Sequence, residues 1–266
     1  MMVAAAAKRG RTAARFRWRS VSAIWWRHML ALARVWRVAI TWFVIEPVVV
    51  LLAVAIGIGR LVGNVDGSTY AAFVAPGLVV GTAMFHAIFE CAWSVFERIQ
   101  GNIYETILTA PVTVSEVTLA ELCFAVTRAL ISTVAVAGCA IAFGWIPIGA
   151  APGLLLVAVG VGFVFGGIGL LFAALSPTVQ ALSLAFTLVA SPLFFFGGVF
   201  FPIGVLPAWL QPVAWGAPLS PFVQLARAAA GGGFGATEAA CVAYALVLGA
   251  ALYPLAVALL RRRLLT

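Results

Sequence analysis

Apolar runs long enough to cross a hydrocarbon layer follow one another along this chain, separated by short polar breaks. A bilayer core about 30 Å thick takes about 20 helical residues to cross, and backbone amides inside it must be satisfied within the protein. Spans are expected at about 41–58, 73–93, 122–145, 153–175, 180–200 and 239–260. Composition excludes a soluble domain: 64% of residues are hydrophobic and 9% charged, against roughly a quarter charged in soluble proteins. The expected class is an all-α integral membrane protein with six transmembrane helices.

Nine of the sixteen basic residues (Lys8, Arg9, Arg11, Arg15, Arg17, Arg19, Arg27, Arg34 and Arg37) precede the first span, and Arg261, Arg262 and Arg263 follow the last. The positive-inside rule then puts both termini in the cytoplasm, as an even number of spans requires. The net charge of +8 is accounted for by anionic membrane lipids, without nucleic acid. Residues 1–40 read as a basic tail with an interfacial helix, and 41–266 as the transmembrane domain. In the former, Trp18, Val21, Trp25, Met29, Leu32 and Trp36 recur at helical steps, with Arg19, Arg27, Arg34 and Arg37 on other faces. Such a helix lies in the membrane interface, either as a topogenic anchor or as a moving element. Between spans five and six, Pro207, Pro212, Pro218 and Pro221 break an apolar stretch into two short half-helices, with Trp209 and Trp215 suited to the headgroup region.

The connector after span two carries Glu97, Arg98, Glu105, Glu116 and Glu121. A short helix over about 102–108, closed by Ala110-Pro111, would present Tyr104 and Glu105 to the cytoplasm, as a docking knob or as an ordinary solvated loop. Within the spans, Glu46, His86, Glu90 and Arg128 form an expected polar cluster in which Arg128 pairs with Glu90 or Glu46, since an unpartnered mid-bilayer charge costs about 2.5–3.5 kcal/mol. His86 and Glu90 share a helix face, as a proton relay or a structural contact, and are too few for a metal site. Gly77/Gly81 and Gly162/Gly166 allow close helix packing, within one subunit or across a dimer seam. Cys91, Cys123, Cys139 and Cys241 read as packing residues.

Lys8 is the only lysine, so a phosphate loop of the Gly-xxxx-Gly-Lys-Ser/Thr type is absent. With no catalytic constellation in recognisable spacing either, the chain reads as a transport component that is not an enzyme. A proton-coupled carrier would typically show an internal repeat, and none is evident. A membrane scaffold is the other alternative, opposed only by the connector.

The run Phe96-Glu97-Arg98 to Gly101, then Tyr104-Glu105-Thr106-Ile107-Leu108-Thr109-Ala110-Pro111-Val112, then Glu116 and Glu121, resembles the ABC-2 type permeases of ABC exporters. Phe194 to Pro202 and Pro221 to Arg227 are similar to the same family, in particular its nodulation-protein J group, exporters of lipid-bearing chitin oligosaccharides. Ala120 stands where such permeases often have glycine. The resemblance implies a homodimer in the bacterial inner membrane and two separate ATP-binding subunits that hold ATP and Mg, this chain holding no cofactor. It implies coupling through Gly101, Tyr104, Glu105, Thr106 and Pro111, and an interfacial helix (Trp18, Trp25, Arg27, Arg34, Trp36) beside a lateral gate. The Pro202 to Ala236 stretch would be a re-entrant helical pair, and the cargo a lipo-oligosaccharide, a drug or another glycolipid.

Overall fold

The computed structural model describes residues 16–65 and 67–265; Lys8, Arg9, Arg11 and Arg15 of the basic tail lie outside them. Among the described residues, six helices are long and apolar enough to cross a membrane: α2 (Trp36–Val62), α3 (Tyr70–Gln100), α5 (Val114–Ala142), α6 (Ile148–Leu175), α7 (Val179–Phe196) and α10 (Ala236–Leu265). The protein is a multi-pass membrane protein. Helix α1 (Trp18–Arg34) precedes them, α4 (Ile103–Leu108) sits between α3 and α5, and α8 (Gln211–Gly216) and α9 (Leu219–Arg227) lie between α7 and α10. The paired two-residue strands β1 (Asn64–Val65) and β2 (Ser68–Thr69) turn the chain from α2 into α3.

Helix α3 is the axis of the bundle, with 78% of its apolar window buried, against 22% in α2, 11% in α7 and 17% in α10. Small residues let α5 and α6 close on it. A Cβ on Gly162 would lie 2.6 Å from Val126 Cα of α5, and one on Gly169 would lie 2.6 Å from the Ile88 carbonyl of α3. Gly77 and Gly81 similarly admit Val199 and Phe194. These glycines are therefore occupied by packing inside the subunit, which is the first of the two readings of their spacing.

Two helices outrun the apolar segments from which they were read. Helix α3 continues to Gln100 and α5 already starts at Val114, so the connector contracts to residues 101–113. The start of α5 is fixed by a capping box: the Thr113 hydroxyl accepts from the Glu116 amide (3.3 Å) and the Glu116 carboxylate accepts from the Thr113 amide (2.7 Å). Glu116 and Glu121, expected in the connector, are consequently buried helix residues. At its far end α7 stops at Phe196, short of residue 200, because Gly198 turns the chain with φ +77°.

Helix α1 forms as expected, but its buried side is Val21, Ile24 and His28, set against α5, while Trp18 and Trp36 are exposed. The chain breaks at Val35, so Trp36 belongs to the next helix. At the other terminus Arg263 donates to the Ala173 and Ser176 carbonyls at the end of α6 and lies over the Phe96 ring. Both ends of the described chain thus meet the bundle at its connector end.

The Gly162→Ala protein should lose about 1–3 kcal/mol through overpacking, read as a lowered unfolding midpoint in detergent. Gly138→Ala, where a Cβ meets nothing within 4 Å, should leave it unchanged or raise it.

Candidate coupling site

Short helix α4 begins after a tight turn in which Asn102 adopts a left-handed conformation (φ 55°), one that asparagine tolerates better than most residues. The turn points Tyr104 inward. Sequence placed this side chain in the cytoplasm, and the structure corrects that: Tyr104 is 1% exposed. Its hydroxyl donates to Glu121 Oε1 of α5 over 2.7 Å. Burial, and then the Glu121 carboxylate, push the phenol well above its usual value, so it is a neutral donor. Gly101, Glu105, Thr106 and Pro111 remain exposed, along with Ile103, so α4 has a solvated rim on a buried root.

Glu121 is fully buried and gathers two further elements. Its Oε1 also meets His28 Nε2 of α1 at 3.1 Å, and its Oε2 accepts from Arg98 Nη1 near the end of α3. Arg98 reaches on to Glu90 Oε1 over 3.0 Å, and the other Glu90 oxygen pairs with Arg128 of α5. A π-helical turn at Glu90–Ser94 explains why residues eight apart meet. It adds roughly one residue to a turn, so eight residues close two turns where a regular helix uses about seven.

The four ionic groups balance: Arg98 and Arg128 against Glu90 and Glu121. Buried charge is tolerable only when so paired and hydrogen-bonded. Arg128 additionally lies 4.2 Å from the Phe43 ring centroid of α2 and 5.7 Å from that of Phe124. Spans one, two and three are therefore joined at Arg128 through Glu90 and an aromatic face. Glu46 takes no part: it is exposed on α2, with no ion pair to any described residue. His86 packs at 4.9 Å on Phe43, and no hydrogen bond joins it to Glu90, leaving the proton-relay reading without its contact.

Helix α1 is clipped to α5 at three heights. The Arg17 amide donates to Glu116, the Trp25 indole donates to Thr127 over 3.0 Å, and His28 meets Glu121. Arg27 and Arg34 are exposed. Sequence reasoning overlooked His28, although Val21, Ile24 and His28 follow each other at three- and four-residue spacing. It also overlooked Thr113-x-x-Glu116, a capping signature in plain view.

A second feature runs along α3 and α7. Trp42 stacks on Phe89 and Phe89 on Trp93, with centroids 6.4 and 4.8 Å apart. Trp93 meets Phe186 at 5.0 Å, and Phe85 bridges Phe186 to Phe194, which abuts Phe200 at 5.1 Å. The rings form a continuous track from near the connector end to the opposite end of the bundle.

A family model described as ABC-2 type transporter matches residues 19–230. The chain belongs to that family. Nodulation protein J of Sinorhizobium fredii (strain NBRC 101917 / NGR234) is 31% identical over 249 residues, covering 92% of this chain and 94% of the relative. Nodulation protein J of Rhizobium meliloti (strain 1021) is 31% identical over 252 residues, covering 91% and 93%. The inner membrane transport permease YadH of Escherichia coli (strain K12) is 28% identical over 215 residues, covering 78% and 80%. In this ABC-2 type chain, as the family implies, the role is that of a transport membrane subunit.

Removing one member of a buried pair leaves the other uncompensated, so Glu121→Ala should cost about 3–5 kcal/mol. Glu46→Gln, at an exposed and unpaired site, should change stability by less than about 0.5 kcal/mol; thermal unfolding of the detergent-purified variants measures both. The raised Tyr104 pKa also sets a pH dependence. The unfolded phenol loses its proton first, near pH 10, so this contribution is complete below that pH and is lost progressively as pH rises from there toward the raised native value. Tyr104→Phe should flatten the decline of the unfolding midpoint above about pH 10.

Proposed function

We propose that this chain is the membrane-spanning permease subunit of an ATP-driven exporter that moves an amphiphile, a lipo-oligosaccharide of the nodulation-factor kind, out of the cytoplasm. The observation that carries the reading is α4, whose exposed rim of Ile103, Glu105 and Thr106 stands on the buried Tyr104–Glu121 bond. A partner pressing on that rim would move a root shared by α1, α3 and α5. Two copies of an ATP-binding subunit would hold ATP and Mg and dock there, on the cytoplasmic side, with both termini of this chain beside them in the bacterial inner membrane.

The permease would act as a homodimer, with the little-buried α2 and α7 facing a second copy or lipid. Residues 202–236, including α8 and α9, would form a re-entrant pair at the outer face. The aromatic track supports an amphiphilic cargo, since ring faces accept acyl chains and the apolar faces of sugars alike. A drug or another glycolipid would use the same surface. The absence of a contact between His86 and Glu90 gives the carrier alternative no support.

Glu105→Arg combined with Thr106→Arg alters only the rim. In membranes containing the ATP-binding subunit, the double variant should insert normally yet lose at least about tenfold in ATP-dependent export, a barrier change of about 1.4 kcal/mol or more. Unchanged export would remove α4 as the docking element.

A further inference from the structure

At the end of the bundle opposite α4 there is a chamber of about 630 Å³, within the range of about 300–1,000 Å³ usual for ligand sites. It is walled by the first turns of α3, by the turn after α7, by Trp145 from the α6 approach and by Trp215 and α9. Its lining is neither an acyl slot nor an anion cradle. Trp145, stacked on Phe143 with centroids 4.9 Å apart and an interplanar angle of 21°, contributes to the chamber's lining. Neither the Trp145 nor the Trp215 indole N–H donates to a described protein group, and an indole can only donate.

The polar wall is set by groups the coupling site does not use. Glu238 of α10, 8% exposed, accepts from the Gln224 carboxamide nitrogen over 2.8 Å and from the Gly235 amide over 2.8 Å. Gln224 is thereby held by its nitrogen, and its oxygen is left to accept. Arg227 donates to the Gly198 carbonyl at 2.6 Å and covers the Phe73 ring at 3.9 Å, tying its charge to the wall. The Ser220 hydroxyl donates to the Ala214 carbonyl and retains its lone pairs.

Flat apolar faces beside indole donors and fixed amide and hydroxyl acceptors, with the one cation engaged by carbonyls, match a neutral polyhydroxylated ligand. We infer that this chamber binds the neutral oligosaccharide head of the exported amphiphile, with Trp145 and Trp215 as stacking and donor groups and Gln224 as acceptor. Glu238 is a positioning residue that fixes Gln224. The inference rests on the exporter reading for its cargo, and its test needs neither ATP nor a partner subunit.

Saturable binding of an N-acetylglucosamine tetramer to the purified full chain in nanodiscs, followed by calorimetry, is expected for the wild type. Trp145→Ala and Gln224→Leu should each weaken it at least tenfold. Trp145→Phe should retain more affinity than Trp145→Ala, and Trp209→Ala, an exposed indole outside the chamber, should bind as wild type. No saturable binding by the wild type, or binding untouched by both chamber substitutions, overturns the assignment. Should ATP-driven export persist while the tetramer fails to bind, the chamber fails alone. Tetramer binding without any ATP-dependent export would sink only the exporter reading.

Discussion

Everything at the connector end depends on one buried carboxylate. Glu121 accepts from Tyr104, Arg98 and His28, three side chains from three separate helices. An ionised carboxylate out of water is unfavourable by several kcal/mol unless its lone pairs are filled, so the four elements hold a common geometry. Moving α4 without moving α3, α5 and α1 would strip donors from that carboxylate. The penalty makes the assembly a mechanical unit, and it does so with chemistry that carries no net charge once Glu90 and Arg128 are included.

Away from this site, stiffness comes from close approach. Gly162 and Gly169 let α6 sit against α5 and α3 at backbone distance, where lipid would otherwise compete for the same surfaces. In a bilayer there is no hydrophobic drive to pull helices together, and packing of small residues takes its place. The central helices α3, α5 and α6 therefore form a rigid column, while α2, α7 and α10 keep much of their surface outward.

The bundle was legible in the sequence because hydrocarbon thickness imposes a length on each apolar run. What was not legible follows from helices that continue past the hydrocarbon. Glu116 and Glu121 looked like connector acids because polar residues end an apolar window, yet backbone helicity does not stop there when a capping box sets its start. Tyr104 looked like a surface knob because its neighbours Glu105 and Thr106 are polar; the roughly 100° between successive helical residues is enough to turn it away from their solvated side. The choice between Glu46 and Glu90 for Arg128 turns on helix rotation, which depth along a span does not reveal. The π-helical turn at Glu90 has no sequence mark of its own, and it is what aligns Glu90 with Arg98.

Spin-label distances test the mechanical unit most directly. In a cysteine-free background reconstituted with the ATP-binding subunit, labels at the exposed positions Thr106 on α4, Ser22 on α1 and Ile148 at the opposite end report whether α4 and α1 move together when ATP is added. The wild type should show both connector-end labels shifting against Ile148 in concert, and Glu121→Gln should let α4 move while α1 stays. Concerted movement that survives Glu121→Gln would contradict the account.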